Sequence, residues 1–236
     1  MNNLIINRFL IWLGKDNIIK KYRANWSKTK IDKSKTLQEN VGFSNQKDIQ
    51  LAIDKVHDKL QLTFRSECSA KGSVLDIGCG VGLYLKDFPE EISVVGTDLS
   101  PDFIDEAKNL LPNGQFFAED YMNVRFEKKF KMVFSISVLE YISHSNLPAF
   151  FKKINQDLEN DGIVFIQYPH ALNNKACWYP DLSYIHYSPI VVENAIISAG
   201  FEVLSHSHSF DDRELNFKFD KKRYDPEMKI ALKTEP

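Results

Sequence analysis

The sequence predicts an α/β fold: a doubly wound, mostly parallel sheet of seven strands with the last one antiparallel. Three observations predict it. Five short apolar runs, Val74–Ile77, Ser93–Thr97, Gln115–Ala118, Met132–Ile136 and Ile163–Gln167, alternate with helical patterns. Apolar runs of this length between helices are the mark of buried parallel strands in βαβ units. Turn and cap residues fall between them, and right-handed crossovers then place helices on both faces of the sheet. Finally, Phe201–Ser207 reads as a sixth strand, and Leu215, Phe217 and Phe219 alternate with Asn216 and Lys218 as a seventh. The linker between these two is too short for a helical crossover, so they pair antiparallel.

In chain order, residues 1–40 read as a basic, helical N-terminal cap, and 41–236 as the main domain. Residues 46–64 form a helix with Ile49, Ile53, Val56, Leu60 and Leu62 facing inward. The first strand runs into a glycine loop, and a short helix begins near Leu83. Ser100 is an N-cap with Pro101 at the first helical position and Asp102 near the positive helix end. Asp161-Gly162 marks a turn directly before the fifth strand. Ser188-Pro189 repeats the capping device, and Gly200 stands where a left-handed C-terminal cap is wanted.

The bulk numbers exclude several classes. A chain of 236 residues with 43% hydrophobic content can bury a sizeable core, and its net charge of -2 does not demand a nucleic-acid partner. The charge is uneven: Lys15, Lys20, Lys21, Arg23, Lys28, Lys30, Lys33 and Lys35 face only Asp16 and Asp32, a local net of +6. That stretch is a solvated helical face or a docking surface for an anionic acceptor. Three cysteines (Cys68, Cys79, Cys177) without metal spacing fit a reducing cytoplasm and no structural disulfide. No apolar run approaches the ~20 residues of a membrane span, and the N-terminus lacks signal-peptide features. Ile5, Phe9, Trp12 and Leu13 share a helical face suited to packing on the same domain or on the partner subunit of a homodimer.

The strongest motif is Val74-Leu75-Asp76-Ile77-Gly78-Cys79-Gly80-Val81-Gly82. Glycines let a backbone turn tightly and approach a ligand without Cβ clashes. Asp98 ends the second strand, where a carboxylate can accept hydrogen bonds from both ribose hydroxyls. Together they point to an adenosine-containing cofactor. A dinucleotide fingerprint needs G-x-G-x-x-G, and its third glycine would fall on Leu83. The loop is instead G-x-G-x-G preceded by Asp76, an acid unhelpful to a pyrophosphate but compatible with the ammonium of an amino-acid tail.

On these residues the chain resembles the class I S-adenosylmethionine-dependent methyltransferases, which share a Rossmann-like fold. VLDIGCGVG resembles the family's first motif, and Asp98 the acid closing its second. Phe116–Tyr121 resembles the third motif, Phe130–Tyr141 the fourth strand and its exit, and Leu158–Ile166 and Ser188–Phe201 the later elements. The resemblance implies S-adenosyl-L-methionine as cofactor, held by Asp76, Gly78, Cys79, Gly80, Gly82, Asp98, Leu99, Asp120, Tyr121 and Ser137. Of these, Asp76 would orient the ammonium, Asp98 bind ribose, Leu99 pack on adenine and Asp120 meet its amino group. Ser137 would sit beneath the sulfonium. Within the family the chain looks most like metal-independent enzymes of small molecules and saccharides. Lys131 and Tyr141 stand where the family often has Asp and His. The missing Asn/Asp-Pro-Pro-aromatic signature argues against methylation of an exocyclic DNA amine.

An alcohol acceptor needs a general base, and ligands gather beyond the carboxyl ends of parallel strands. His170, directly after the fifth strand, is the first candidate, followed by His186 and His144. Each competes with an ordinary surface or capping role. Aromatics between Tyr168 and Tyr187 suit a sugar or ring acceptor. His206 and His208 share a strand face near Asp211 and Asp212, better read as a solvated edge than as a metal site. The expectation is O-methylation of a small molecule or saccharide. The alternatives are a nicotinamide-dependent oxidoreductase, a non-catalytic cofactor-binding or assembly subunit, and an RNA or protein methyltransferase using the basic stretch.

Overall fold

The structure, a computed structural model, describes residues 17–40, 47–68, 72–170, 177–179, 184–209 and 214–221. Residues 1–16, Asp211, Asp212 and the side chains of Ile49, Ile53, Trp178, Tyr179, Tyr184, His206 and His208 lie outside that description. The predicted α/β class is present. Helices α1 (Asn17–Trp26), α2 (Leu37–Asn40) and α3 (Lys47–Glu67) precede strands β1 (Ser73–Ile77) and β2 (Ser93–Asp98). Helix α4 (Pro101–Leu110) leads to β3 (Gln115–Ala118) and β4 (Phe130–Ile136), and α5 (Leu147–Asp157) to β5 (Leu158–Pro169). A small hairpin, β6 (Cys177–Tyr179) and β7 (Tyr184–His186), comes before α6 (Pro189–Ser198), β8 (Phe201–Ser209) and β9 (Glu214–Lys221).

Five strands are parallel in the order β3-β2-β1-β4-β5. Beyond β5 the ladder continues antiparallel to β9, which pairs antiparallel with β8. Alternate residues feed two cores. Leu75, Ile77, Val133, Val164 and Ile166 face Phe150, Ile154, Val192 and Ile196 of α5 and α6. Val74, Val94, Met132, Phe134 and Phe165 face Val56, Leu60 and Phe64 of α3 and Ile104 and Ala107 of α4. The period-2 alternation of strands thus meets helical stripes on both sides.

Four local expectations need correction. Leu62 is 69% exposed. It lies two residues from buried Leu60, about 200° around the helix, so Gln61, Thr63 and Phe64 take the inward places instead. No regular helix starts at Leu83: the chain makes three-residue turns, Gly82 N–H to Cys79 O, Leu85 N–H to Gly82 O and Phe88 N–H to Leu85 O. Gly82 at φ 82° interrupts any α-helical start. The Asp161-Gly162 turn is absorbed into β5 as an irregularity, where pairing jumps from Phe130–Leu158 to Met132–Ile163. Ser188 precedes α6 as expected, but its side chain makes no capping bond. Ser100, by contrast, caps α4 by accepting from the Phe103 N–H at 3.2 Å.

Candidate active site

A cavity of about 400 Å³ opens at the carboxyl ends of the parallel strands. Its floor is the loop after β1. Both Gly78 and Cys79 donate their N–H to Thr97 O, at 2.8 and 2.9 Å, which folds the loop back onto the end of β2. Gly78 has φ 76°, and a Cβ there would lie 2.2 Å from Val138 Cγ2. The glycine is therefore required twice, by its backbone angle and by the closeness of the β4 exit.

Asp98 joins this loop to the next helix. One carboxylate oxygen accepts the Gly80 N–H at 3.0 Å, and the other the Ser100 N–H at 2.8 Å. Burial pushes its carboxyl above the ordinary value, against the lowering effect of those N–H donors. A carboxylate offers about four lone-pair sites. With the Leu99 N–H also acting on it, the carboxylate keeps acceptor capacity for a ribose hydroxyl.

Asp76 is 1% exposed, and its Oδ2 has no hydrogen-bond partner among the described residues. Burial first, then the Asp98 charge, push its carboxyl well above the ordinary range. It lies behind the loop, not on the cavity wall; Gly82 is likewise off the wall. Gly78, Cys79, Gly80, Asp98, Leu99, Asp120, Tyr121 and Ser137 all line the cavity. Burial and the two nearby carboxylates raise the Cys79 thiol, so it is no thiolate nucleophile.

At the end of β3, Asp120 accepts the Met122 N–H on Oδ1 at 3.1 Å, and its Oδ2 is ion-paired with Arg23 of α1. Tyr121 lines the cavity, while its ring packs on Phe126 and Phe150 and its hydroxyl donates to Asp157 at 2.7 Å. That hydroxyl holds α5 and is not available to a ligand. Ser137 follows β4 with φ 54°, a left-handed conformation that side chains rarely adopt, and its N–H donates to Gln167 O at 3.0 Å.

The three histidines stand elsewhere. His170 is buried and bridges in parallel to Tyr187, which extends the sheet edge past β5. His186 lies beside it on the hairpin; burial lowers its pKa, against the raising effect of a hydrogen bond to the His170 backbone, and the His170 charge lowers it further. His144 is exposed, with its ring 6.3 Å from that of Tyr187. None of the three lines the cavity. Among the described residues no cluster of three His, Cys, Asp or Glu could hold a metal, and no helix is long and apolar enough to cross a membrane.

Sequence reasoning offered Tyr22, Arg23 and Trp26 as residues that could close over the site, and left Tyr84, Glu119 and Glu140 without a role. Trp26 packs its ring 6.2 Å from Phe103 and 6.0 Å from Tyr141. Tyr84, Glu119 and Glu140 also line the cavity. Glu140 sits on the turn after β4, one residue before Tyr141.

Residues 74–162 match the family model described as "Methyltransferase domain". The viral protein named "Putative methyltransferase 235L", of Invertebrate iridescent virus 6, is 26% identical over 203 residues, covering 76% of this chain and 74% of the viral protein. The dTDP-3-amino-3,4,6-trideoxy-alpha-D-glucopyranose N,N-dimethyltransferase of Streptomyces venezuelae is 28% identical over 120 residues, 50% of this chain and 47% of that enzyme. The chain thus spans about half the length of that sugar enzyme. Among solved structures, magnesium protoporphyrin IX methyltransferase from Synechocystis PCC 6803 with bound S-adenosylhomocysteine superposes with a TM-score of 0.68. That match has 14% identity and covers 87% of this chain and 100% of the other.

Proposed function

The chain carries a class I S-adenosylmethionine-dependent methyltransferase domain, and from that premise we propose that it methylates a hydroxyl oxygen of a small molecule or saccharide. One observation carries the reading. The cavity joins a glycine loop and a ribose-competent carboxylate, Asp98, to an aromatic wall of Trp26, Phe103 and Tyr141. Aromatic faces suit the apolar faces of a sugar or ring. The Streptomyces relative, named for an amino-sugar nucleotide, supports a saccharide.

The bound cofactor supplies an electrophilic methyl group on a positively charged sulfur. The chain's own residues bind and orient. Asp98 takes the ribose hydroxyls and Leu99 packs on adenine, whose amino group meets Asp120. The Gly78–Gly80 backbone accommodates the methionine part. Asp76, set behind the loop, acts on the ammonium through water. Holding two reactants in line contributes effective concentration, which is much of what this reaction needs.

Residues 1–40 form the cap of this reading and 41–236 the methyltransferase domain, operating in the cytoplasm. Arg23 and Trp26 of α1 on the cavity wall support the cap, and the antiparallel β8–β9 pair supports one continuous seven-stranded domain. Three cations of the basic stretch are already engaged, Arg23 with Asp120, Lys30 with Asp102 and Lys35 with Asp32, which weakens its reading as a nucleic-acid surface. The test is transfer of a trideuterated methyl group to a panel of sugars, amino sugars and phenols, read by mass spectrometry. Labelled sugar or phenol ethers are the expected product. Labelling confined to RNA or protein, and abolished by salt, would contradict the small-molecule reading.

A further inference from the structure

The cavity is bridged as well as lined. In the sheet order β3-β2-β1-β4, two strands separate the exit of β3 from the exit of β4. Between those exits lie the glycine loop after β1 and Asp98 at the end of β2. Arg23 of α1 touches both flanks at once. One terminal guanidinium nitrogen is ion-paired with Asp120 after β3, and the other donates a long hydrogen bond to Tyr141 O after β4, at 3.5 Å. A side chain bonded to both flanks stands across the ends of the two strands between them. Those ends are where the methyltransferase reading puts the ribose and the methionine part of the cofactor.

The chain after Arg23 continues the bridge. Trp26 also lines the cavity, its ring packed on Phe103 and Tyr141. Thr29 O accepts the Ser100 hydroxyl at 3.0 Å, Lys30 Nζ lies 2.6 Å from Asp102 Oδ1, and Ile31 N–H donates to Asp102 Oδ2 at 3.4 Å. Residues 23–31 are therefore a strap, fastened to the β3 and β4 exits at one end and to the start of α4 at the other. Its fastenings differ in strength. Just before the strap, Ile19 is 3% exposed, within the core cluster that includes Leu139 and Ile142. The side chains of the Arg23–Asp120 pair are 23% and 31% exposed, and those of the Lys30–Asp102 pair 77% and 27%. Such ion pairs are weak beside a buried isoleucine, so the polar fastenings release first and α1 stays attached at Ile19.

We infer that residues 23–31 gate cofactor exchange: the strap spans the bound cofactor, and S-adenosylhomocysteine leaves only when Arg23 lets go of Asp120. The inference rests on the methyltransferase reading above. A carboxylate has acceptor capacity for the Arg23 guanidinium, the Met122 N–H and an adenine amino group together. The latch therefore closes equally well with or without cofactor. Its opening sets how fast the cofactor enters and leaves, and not how tightly it binds. Opening of such a segment limits turnover in many enzymes.

Surface plasmon resonance on the immobilised full chain, with S-adenosylhomocysteine as the probe, tests this without knowledge of the acceptor. Arg23→Ala should raise the association and dissociation rates together, each about fivefold, and leave Kd within about twofold. Lys30→Ala should raise both rates about twofold. Lys30 is off the cavity wall, so a lost ligand contact cannot produce that rise. Added salt should speed both rates in the wild type, as ion pairs are screened, and change Arg23→Ala less. Faster dissociation with unchanged association in Arg23→Ala would make Arg23 a plain ligand contact and overturns the inference. Rates equal to the wild type's in both variants overturn it as well. A wild type that does not bind S-adenosylhomocysteine overturns the methyltransferase reading together with this inference, a result distinct from those two.

Discussion

Arg23 reaches two strand exits with one guanidinium: it is ion-paired with Asp120 after β3 and donates to Tyr141 O after β4 at 3.5 Å. Helix α1 is thereby tied across the cavity to the carboxylate proposed to meet adenine. Trp26, one turn on, packs its ring against Phe103 and Tyr141. The Ser100 hydroxyl donates to Thr29 O at 3.0 Å, and Lys30 pairs with Asp102 at 2.6 Å. The N-terminal segment is part of the site's architecture.

Arg23→Ala should loosen α1 locally. Partly exposed ion pairs contribute about 0–1 kcal/mol, so the thermal midpoint should move little. Amide hydrogen exchange in residues 17–31 should rise about tenfold while β1 and β4 stay protected. Uniform exchange changes across the sheet would contradict a local tie.

Ser100→Ala should cost more. The hydroxyl both caps α4 and holds Thr29, and it is fully buried. Loss of such a cap costs about 1 kcal/mol, and denaturant unfolding should show it. A midpoint equal to the wild type's would mean the cap bond is dispensable.

Gly78→Ala places a methyl group where Val138 stands, at a backbone angle that alanine resists. Overpacking and strain together should cost about 2 kcal/mol or more, a drop of roughly 4 °C or more in Tm. An unchanged Tm would mean the loop and the β4 exit are not in contact.

Asp76 gives a pH prediction with a definite sign. Its folded carboxyl titrates well above the usual value of 3.8 because burial, then Asp98, penalise the charge. Between the unfolded and folded pKa values the native state holds more protons than the unfolded state, so stability falls as pH rises. Asp76→Asn removes that term. The variant should gain Tm relative to wild type at neutral pH, and the gain should vanish below about pH 4. A gain that grew on acidification would contradict a buried, reluctantly ionised carboxyl.

The parts of this molecule that obey local rules were legible in the residues. The five parallel strands are apolar runs bounded by turn residues, and Ser100-Pro101 reads as a helix start because the cap is chemically specific. Asp98 and the glycines were legible because close backbone approach demands them. Tertiary context hid the rest. Val56 and Leu60 face inward as expected, but Leu62 lies about 200° around the helix from Leu60 and points outward, and Gly82, in its left-handed conformation, broke the helix expected at Leu83. The hairpin β6–β7 is short, and its aromatics read as a segment for a sugar or ring acceptor. Arg23 lies 97 residues from Asp120, so nothing local could announce their pairing. His170 followed a strand, as a candidate base should, but the chain continued as a bridge to Tyr187 and kept it off the cavity wall.

The most direct test of the central claim is calorimetric titration of wild type and Asp98→Ala with S-adenosylmethionine, S-adenosylhomocysteine and NADH. The account predicts micromolar binding of the first two, none of NADH, and a loss of about thirtyfold or more in the variant as the charged ribose bonds disappear. Binding of NADH alone, or S-adenosylmethionine binding indifferent to Asp98, would contradict it.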